Sequence, residues 1–357
     1  MAIPQTLILA AAKAHRTLVL GIWGLLGWLW VQIQRFRAPR PDPRPAAALD
    51  EAFLQGANLP WFSCGNDFGG NAWHPEGGIS SPGRIESVQR AFAALQQDGI
   101  TCLRWFLFAD GRSGILTDPA GRPTGLDDRV FPDLDLAFHL AARHGIRILP
   151  VCFDFLLCAP ARWANGVQLG GRSRWIRDPE AWEILETRVL TPLFIRYGQH
   201  PALLAWDLFN EPEWAAFGMG WDDAGVVPWT LRSRLERMAQ LAHRHGNRPV
   251  TVGLGTVRGL PLVRGLGLDV FQIHWYDRHD AASPLDRPVE QLRLDRPLLL
   301  GEFPTRNSRR SHAEIVETAR RNGYCGALAW SIQAGDAFSG MGPAAPQMDT
   351  PWPTASG

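Results

Sequence analysis

The 357-residue chain predicts an α/β protein, a (β/α)8 TIM barrel behind an N-terminal membrane-anchor helix, and three observations predict it. Helical patterns alternate with short apolar runs throughout residues 51–340, as in βα units built around a parallel sheet. Eight such runs begin near Leu59, Thr101, Arg147, Ala202, Pro249, Val270, Pro297 and Ala327, mostly hydrophobic along their length, like strands covered on both faces. Glycine marks the ends of the helical stretches, at Gln97-Asp98-Gly99, Arg143-His144-Gly145, Arg244-His245-Gly246 and Arg321-Asn322-Gly323. A glycine there is expected to take the left-handed conformation, and basic residues in a last turn suit the helix dipole. An open doubly wound sheet would need a glycine-rich phosphate loop after its first strand, and Cys64-Gly65-Asn66-Asp67-Phe68-Gly69-Gly70 does not match one. Between strands 5 and 6 the spacing leaves room for little helix.

Residues 1–38 form the anchor element. Thr17 to Ile33 carries no charge, at the short end of what crosses a bilayer core, and Trp23, Trp28 and Trp30 cluster toward one end like interfacial residues. A signal peptide would want a small-residue cleavage site soon after the run, where Gln32-Ile33-Gln34-Arg35 stands instead. Residues 39–50 form a proline-rich spacer, extended and semi-rigid, which argues against a helix buried in the globular domain. The expectation is an uncleaved anchor in a bacterial-type inner membrane, contacting the lipid bilayer through residues 17–33. Basic residues flank both sides, so the catalytic domain is left periplasmic or cytoplasmic. Residues 341–357 read as an irregular tail.

Composition excludes some functions. A net charge of +1, without a basic run past the first 45 residues, gives no footprint for nucleic acid. Five cysteines without a CxxC pair, Cys64, Cys102, Cys152, Cys158 and Cys325, read as small buried hydrophobes. No metal-ligand spacing and no cofactor motif appear. The 16 tryptophans are the outlier; most are expected in the core, but flat apolar faces with an N–H also suit sugar rings.

In a barrel of this kind chemistry sits at the C-terminal ends of the strands. There the chain places Arg104 in strand 2, Asp154 ending strand 3, and Asn210-Glu211-Pro212 ending strand 4. Strand 6 supplies His274 and Tyr276, strand 7 ends in Glu302, and strand 8 carries Trp330. Each glutamate closes an apolar run, where an unpaired carboxylate costs several kcal/mol unless something requires it. Cleavage of a glycosidic bond requires two carboxyl groups of opposed protonation, and strands 4 and 7 face each other across an eight-stranded ring. Asp207 shares the parity of Glu211 and should point into the barrel below it, as a structural residue. Trp163, Trp175, Trp214 and Trp221, in the loops after strands 3 and 4, are candidates for outer sugar subsites.

The run YGQHPALLAWDLFNEPEW, with LLLGEF, resembles the strand-4 and strand-7 signatures of clan A glycoside hydrolases, most like family 5, the cellulases and mannanases. The resemblance covers about Asn58 to Gln333. It implies a retaining O-glycosyl hydrolase acting on a β-glycan or oligosaccharide through a glycosyl-enzyme intermediate, with Glu211 as acid/base and Glu302 as nucleophile. It further implies that Asn210 bonds the sugar 2-hydroxyl, that Arg104 and Tyr276 hold the nucleophile, that His274 borders the cleavage subsite, and that Trp330 underlies that sugar. Family 5 commonly has a histidine at the end of strand 3, where this chain has Asp154, which puts the substrate in doubt. The same site would serve a transglycosylase. With the anchor, a non-catalytic glycan-binding subunit beside a polysaccharide synthase or export partner is the further alternative.

Overall fold

The computed structural model describes residues 5–36, 49, 52–63, 65–219, 225–333 and 335–341. The spacer apart from Leu49, the tail beyond residue 341, Cys64 and Trp221 lie outside the described residues.

Eight parallel strands close into a barrel: β1 (Leu54–Leu59), β2 (Cys102–Phe106), β3 (Arg147–Asp154), β4 (Trp206–Asn210), β5 (Val250–Leu254), β6 (Phe271–His274), β7 (Leu298–Pro304) and β8 (Gly326–Trp330). Each pairs with its sequence neighbours, and β8 closes on β1. Two boundaries move from the sequence expectation. The first strand ends at Leu59 rather than beginning there, and β4 begins at Trp206, with only an isolated bridge from Leu203 to Ile148 ahead of it. Around the barrel run α2 (Ile85–Gln97), α3 (Val130–Arg143), the joined segments α4 (Ser173–Arg177), α5 (Pro179–Leu185) and α6 (Thr191–Tyr197), then α7 (Pro228–His245), α8 (Leu260–Val263) and α9 (His312–Arg321). Only the four-residue α8 and a preceding 3-10 turn fit between β5 and β6.

Alternation within the strands sorts the interior by height. Outward residues such as Leu103, Trp105 and Ile148 pack under the helices in one large core. Inward residues near the strand starts, Leu54, Cys102, Leu149, Leu299 and Leu328, make an apolar floor. Above that floor the inward positions are polar, and these build the site.

Gly99, Gly145 and Gly323 adopt the left-handed conformation (φ +73°, +66° and +86°) expected past helix ends. Gly246 does not: its φ is −153°, and a Cβ there would lie 2.4 Å from the Gly198 carbonyl oxygen. Close backbone approach, not a left-handed cap, requires glycine at that position.

The N-terminal helix, α1 (Gln5–Phe36), contains one 19-residue stretch, Thr17–Arg35, of mean hydropathy 1.4, long and apolar enough for a membrane span or a signal sequence. It rests on the barrel through small residues. A Cβ on Gly27 would come 2.2 Å from the Phe217 carbonyl oxygen, and one on Gly218 would come 2.4 Å from that of Gly24. Val31 is buried and Trp23 meets Trp229 at 6.0 Å. Its other face leaves Leu18, Leu25 and Ile33 more than half exposed.

Candidate active site

Arg104 stands at the centre of the upper interior with no solvent exposure. Its Nε donates to Asp207 Oδ2 (2.9 Å), Nη1 to Glu302 Oε1 (2.6 Å) and Asn58 Oδ1 (3.0 Å), and Nη2 to Asn210 Oδ1 (2.7 Å). Burial alone would depress the guanidinium pKa, but Asp207 and Glu302 outweigh it and raise it, so the charge is permanent. Asp207 also accepts from Gln272 Nε2 (2.7 Å) and from the Gly253 N–H (3.1 Å), in the structural role its parity predicted.

This network needs space that a side chain on β5 would take. A Cβ on Gly253 would lie 2.5 Å from Gln272 Nε2 and 2.7 Å from Arg104 Nη2. The glycine of LLLGEF is constrained alike, since a Cβ on Gly301 would lie 2.5 Å from the Gln272 side chain.

Strand irregularities occur where the candidate residues leave the sheet. The register shifts between Asp207 and Asn210 on β4, between Ile273 and His274 on β6, and between Leu300 and Phe303 on β7. Bulges of this kind re-aim side chains at barrel rims. Glu211, just past β4, sits at φ 48° and ψ 49°, a left-handed conformation uncommon for a non-glycine residue. Its N–H is tied to the Gly253 carbonyl (2.6 Å), and Pro212 then begins a 3-10 turn. A strained residue so held at a barrel mouth points to function.

The turn brings Glu211 to the strand-7 glutamate. One oxygen of Glu211, one of Glu302 and a ring nitrogen of His274 all lie within 4.8 Å of one another. His274 Nδ1 is 2.7 Å from Glu211 Oε1 and 3.5 Å from Glu302 Oε2. The Tyr276 hydroxyl donates to Glu302 Oε2 (3.0 Å). These three groups have ligand-like spacing for a divalent cation, which no sequence motif indicated. However, Arg104 and Tyr276 already occupy both oxygens of Glu302, and the buried guanidinium would repel a second cation.

Both glutamates are buried enough that desolvation pushes their pKa values up. Against burial, the Arg104 charge and the Tyr276 hydroxyl pull Glu302 back down. Burial pushes His274 down to about 4, leaving its ring neutral near pH 7. Tyr276 is driven well above its ordinary value, first by burial and then by the two glutamates, so it stays a donor.

Asp154 lies beside this pair, buried at the end of β3. Trp330 is half-buried, its indole N–H on Asp336 Oδ2 (2.7 Å) and its ring edge-on to Phe106. Trp214 is half-buried and donates toward Glu211. Trp175 is no subsite: it is 1% exposed, donates to the Gly121 carbonyl, and belongs to the core. Trp163 is 70% exposed on a short hairpin, Arg162–Ala164 with Val167–Leu169. Sequence reading missed Asn58, Gln272 and Glu213. The first two break apolar strands on the inward parity of Arg104 and His274, a signal that was present. Glu213 follows Glu211 within the NEPEW run and gives no such sign.

No family model matches the chain. In sequence it is 24% identical to a mannan endo-1,4-beta-mannosidase of Mytilus edulis over 327 residues, 78% of this chain and 83% of that protein. A mannan endo-1,4-beta-mannosidase of Cryptopygus antarcticus is 22% identical, over 80% of this chain and 81% of its own length. By sequence, this is a family 5-like glycoside hydrolase of clan A. Solved structures carry the same fold as the glycoside hydrolase: an endo-1,4-beta-mannanase from Eisenia fetida superposes with a TM-score of 0.69 at 22% identity, covering 81% of this chain and 87% of that one. The Mytilus edulis beta-mannanase superposes at 0.64 with 22% identity, covering 78% and 87%.

Proposed function

We propose that the chain is a retaining β-glycosidase acting on β-1,4-linked mannan or a related glycan by double displacement. The observation that carries this reading is the asymmetric holding of two adjacent carboxyl groups. Retaining enzymes keep theirs about 5–5.5 Å apart and inverting ones roughly 6.5–9.5 Å, and oxygens of Glu211 and Glu302 approach within 4.8 Å. Burial raises both, which disfavours ionising the two together. Glu302 has the guanidinium at 2.6 Å and the Tyr276 hydroxyl to favour its anion, whereas Glu211 faces a neutral imidazole. Glu302 is therefore the nucleophile, and Glu211 keeps the proton for the leaving oxygen.

In the first step Glu302 attacks the anomeric carbon as Glu211 protonates the departing glycosidic oxygen. In the second, Glu211, now ionised, takes a proton from water as water displaces Glu302. Asn210 bonds the 2-hydroxyl, His274 borders the cleavage subsite, and Trp330 supplies a flat face under the sugar. No metal is needed for either step. The mannan assignment is supported by the substrate named for the relatives.

We further propose that α1 anchors the enzyme in a bilayer, supported by its uncharged run and its exposed apolar face. The substrate class and stereochemistry are tested together by following β-1,4-mannan and β-1,4-glucan oligosaccharides by proton NMR from the first minutes. Early release of the β-anomer from the mannan series is expected. Early α-anomer would overturn the retaining assignment, and turnover of glucan alone would overturn the substrate.

A further inference from the structure

Asn210 is held from two sides. Its amide oxygen accepts from Arg104 Nη2 at 2.7 Å, which fixes which way the amide faces. Its Nδ2 then donates to Asp154 Oδ2 at 2.6 Å, across the register pair that joins the ends of β3 and β4. An amide nitrogen carries two hydrogens, so one is left for a ligand. Asp154 is itself pinned: it is 3% exposed, and its Oδ1 accepts from the Leu156 N–H at 2.7 Å, capping the 3-10 turn Phe155–Cys158.

Two donors thus converge on position 154, one on each oxygen. A carboxyl group can accept both, whereas an asparagine would turn an N–H toward one of the donors. Without Asp154 the amide keeps only its bond to Arg104, and rotation about its last side-chain torsion is broad. A hydrogen bond aimed at a reacting sugar helps only if its donor is already in place.

We infer that Asp154 is a positioning residue for the glycosidase reaction, fixing the Asn210 amide so that its second N–H meets the 2-hydroxyl of the sugar at the cleavage subsite. This rests on the proposed role of Asn210. Asp154 touches neither sugar nor reacting atoms; it acts through Asn210, from a strand end next to both glutamates.

The test uses the full chain labelled with 15N-asparagine, and the variants Asp154→Ala, Asp154→Asn, Asn210→Ala and the double Asp154→Ala/Asn210→Ala. In the parent the Asn210 side-chain amide should give two well-separated proton signals, and both Asp154 variants should collapse that separation. An unchanged amide pair would overturn the inference whether or not any glycan is turned over. On an aryl β-mannoside, Asp154→Ala should lower kcat about 10- to 100-fold, the cost of leaving one buried donor unsatisfied, with KM little changed. The loss should vanish on the 2-deoxy analogue and in the Asn210→Ala background. Equal losses with and without the 2-hydroxyl would overturn it, and Asp154→Asn, which keeps the volume, gives the same comparison should the alanine variant unfold. Failure of the parent to hydrolyse any β-glycan would sink the proposed function alone, leaving the amide signals to decide the placement of Asn210.

Discussion

At the scale of single residues, the two glutamates are told apart by their company. Glu302 is bonded by a permanent cation and a phenol, and Glu211 by a neutral histidine and an indole. Glu302→Ala should abolish turnover, and azide should restore it with an inverted, α-configured glycosyl azide as product. Glu211→Ala should lose roughly 10²- to 10⁴-fold on poor leaving groups, the usual worth of general acid catalysis, yet still react with activated aryl glycosides. Azide should then give the retained product, and the opposite pattern by NMR would exchange the roles. Arg104, Asn210, His274 and Tyr276 were legible in the sequence because each sets a polar group in or just past an apolar strand, and Asn58 and Gln272 were missed although they do the same. Trp175 misled, because a tryptophan in a loop looks like a platform until its ring is found in the core with its indole N–H on the Gly121 carbonyl.

At the scale of elements, the barrel strands were legible because they are buried on both faces and therefore apolar throughout. Two small hairpins, Ile115–Thr117 with Pro123–Leu126 and Arg162–Ala164 with Val167–Leu169, were not, since three- and four-residue strands carry no usable alternation. Gly246 shows a related limit: a helix-end glycine has two possible reasons, and only the neighbouring Gly198 backbone distinguishes them. The docking of α1 through Gly24 and Gly27 was hidden for the same reason. Removal of residues 1–45 should release a soluble chain that unfolds in one cooperative step, because α1 leaves most of its apolar run exposed. Gly27→Leu in the full chain should undock the helix without lowering the barrel's melting temperature, read by a shift in Trp229 fluorescence. A broad, non-cooperative transition in the truncated protein would show that α1 is part of the core.

At the scale of the whole molecule, the site is held at some expense of stability, and pH should expose it. Burial raises Glu213 from 4.5 to about 8, and one of its oxygens has no hydrogen-bond partner among the described residues. The folded state therefore holds a proton that the unfolded chain has lost, and this contribution declines as pH rises from about 4.5 through about 8. His274 acts in the opposite sense. Its folded value of about 4 lies below 6.5, so its contribution is full above 6.5 and is lost as pH falls toward 4. Urea unfolding across pH 5 to 8 should show Glu213→Gln flattening the alkaline decline while leaving the acid one. An unchanged alkaline slope would mean that Glu213 is ionised in the folded protein.

In the proposed mechanism the whole arrangement, from the bulges of β4 and β7 to the Arg104 network, would present Glu302 to an anomeric carbon with Glu211 opposite. The most direct measurement is to trap that bond. Incubation with a 2-deoxy-2-fluoro-β-mannosyl fluoride, whose intermediate forms faster than it hydrolyses, should inactivate the enzyme with one label per chain. Peptide mass mapping should place that label on Glu302. A label on Glu211, or turnover of the fluoride without any covalent adduct, would contradict the account.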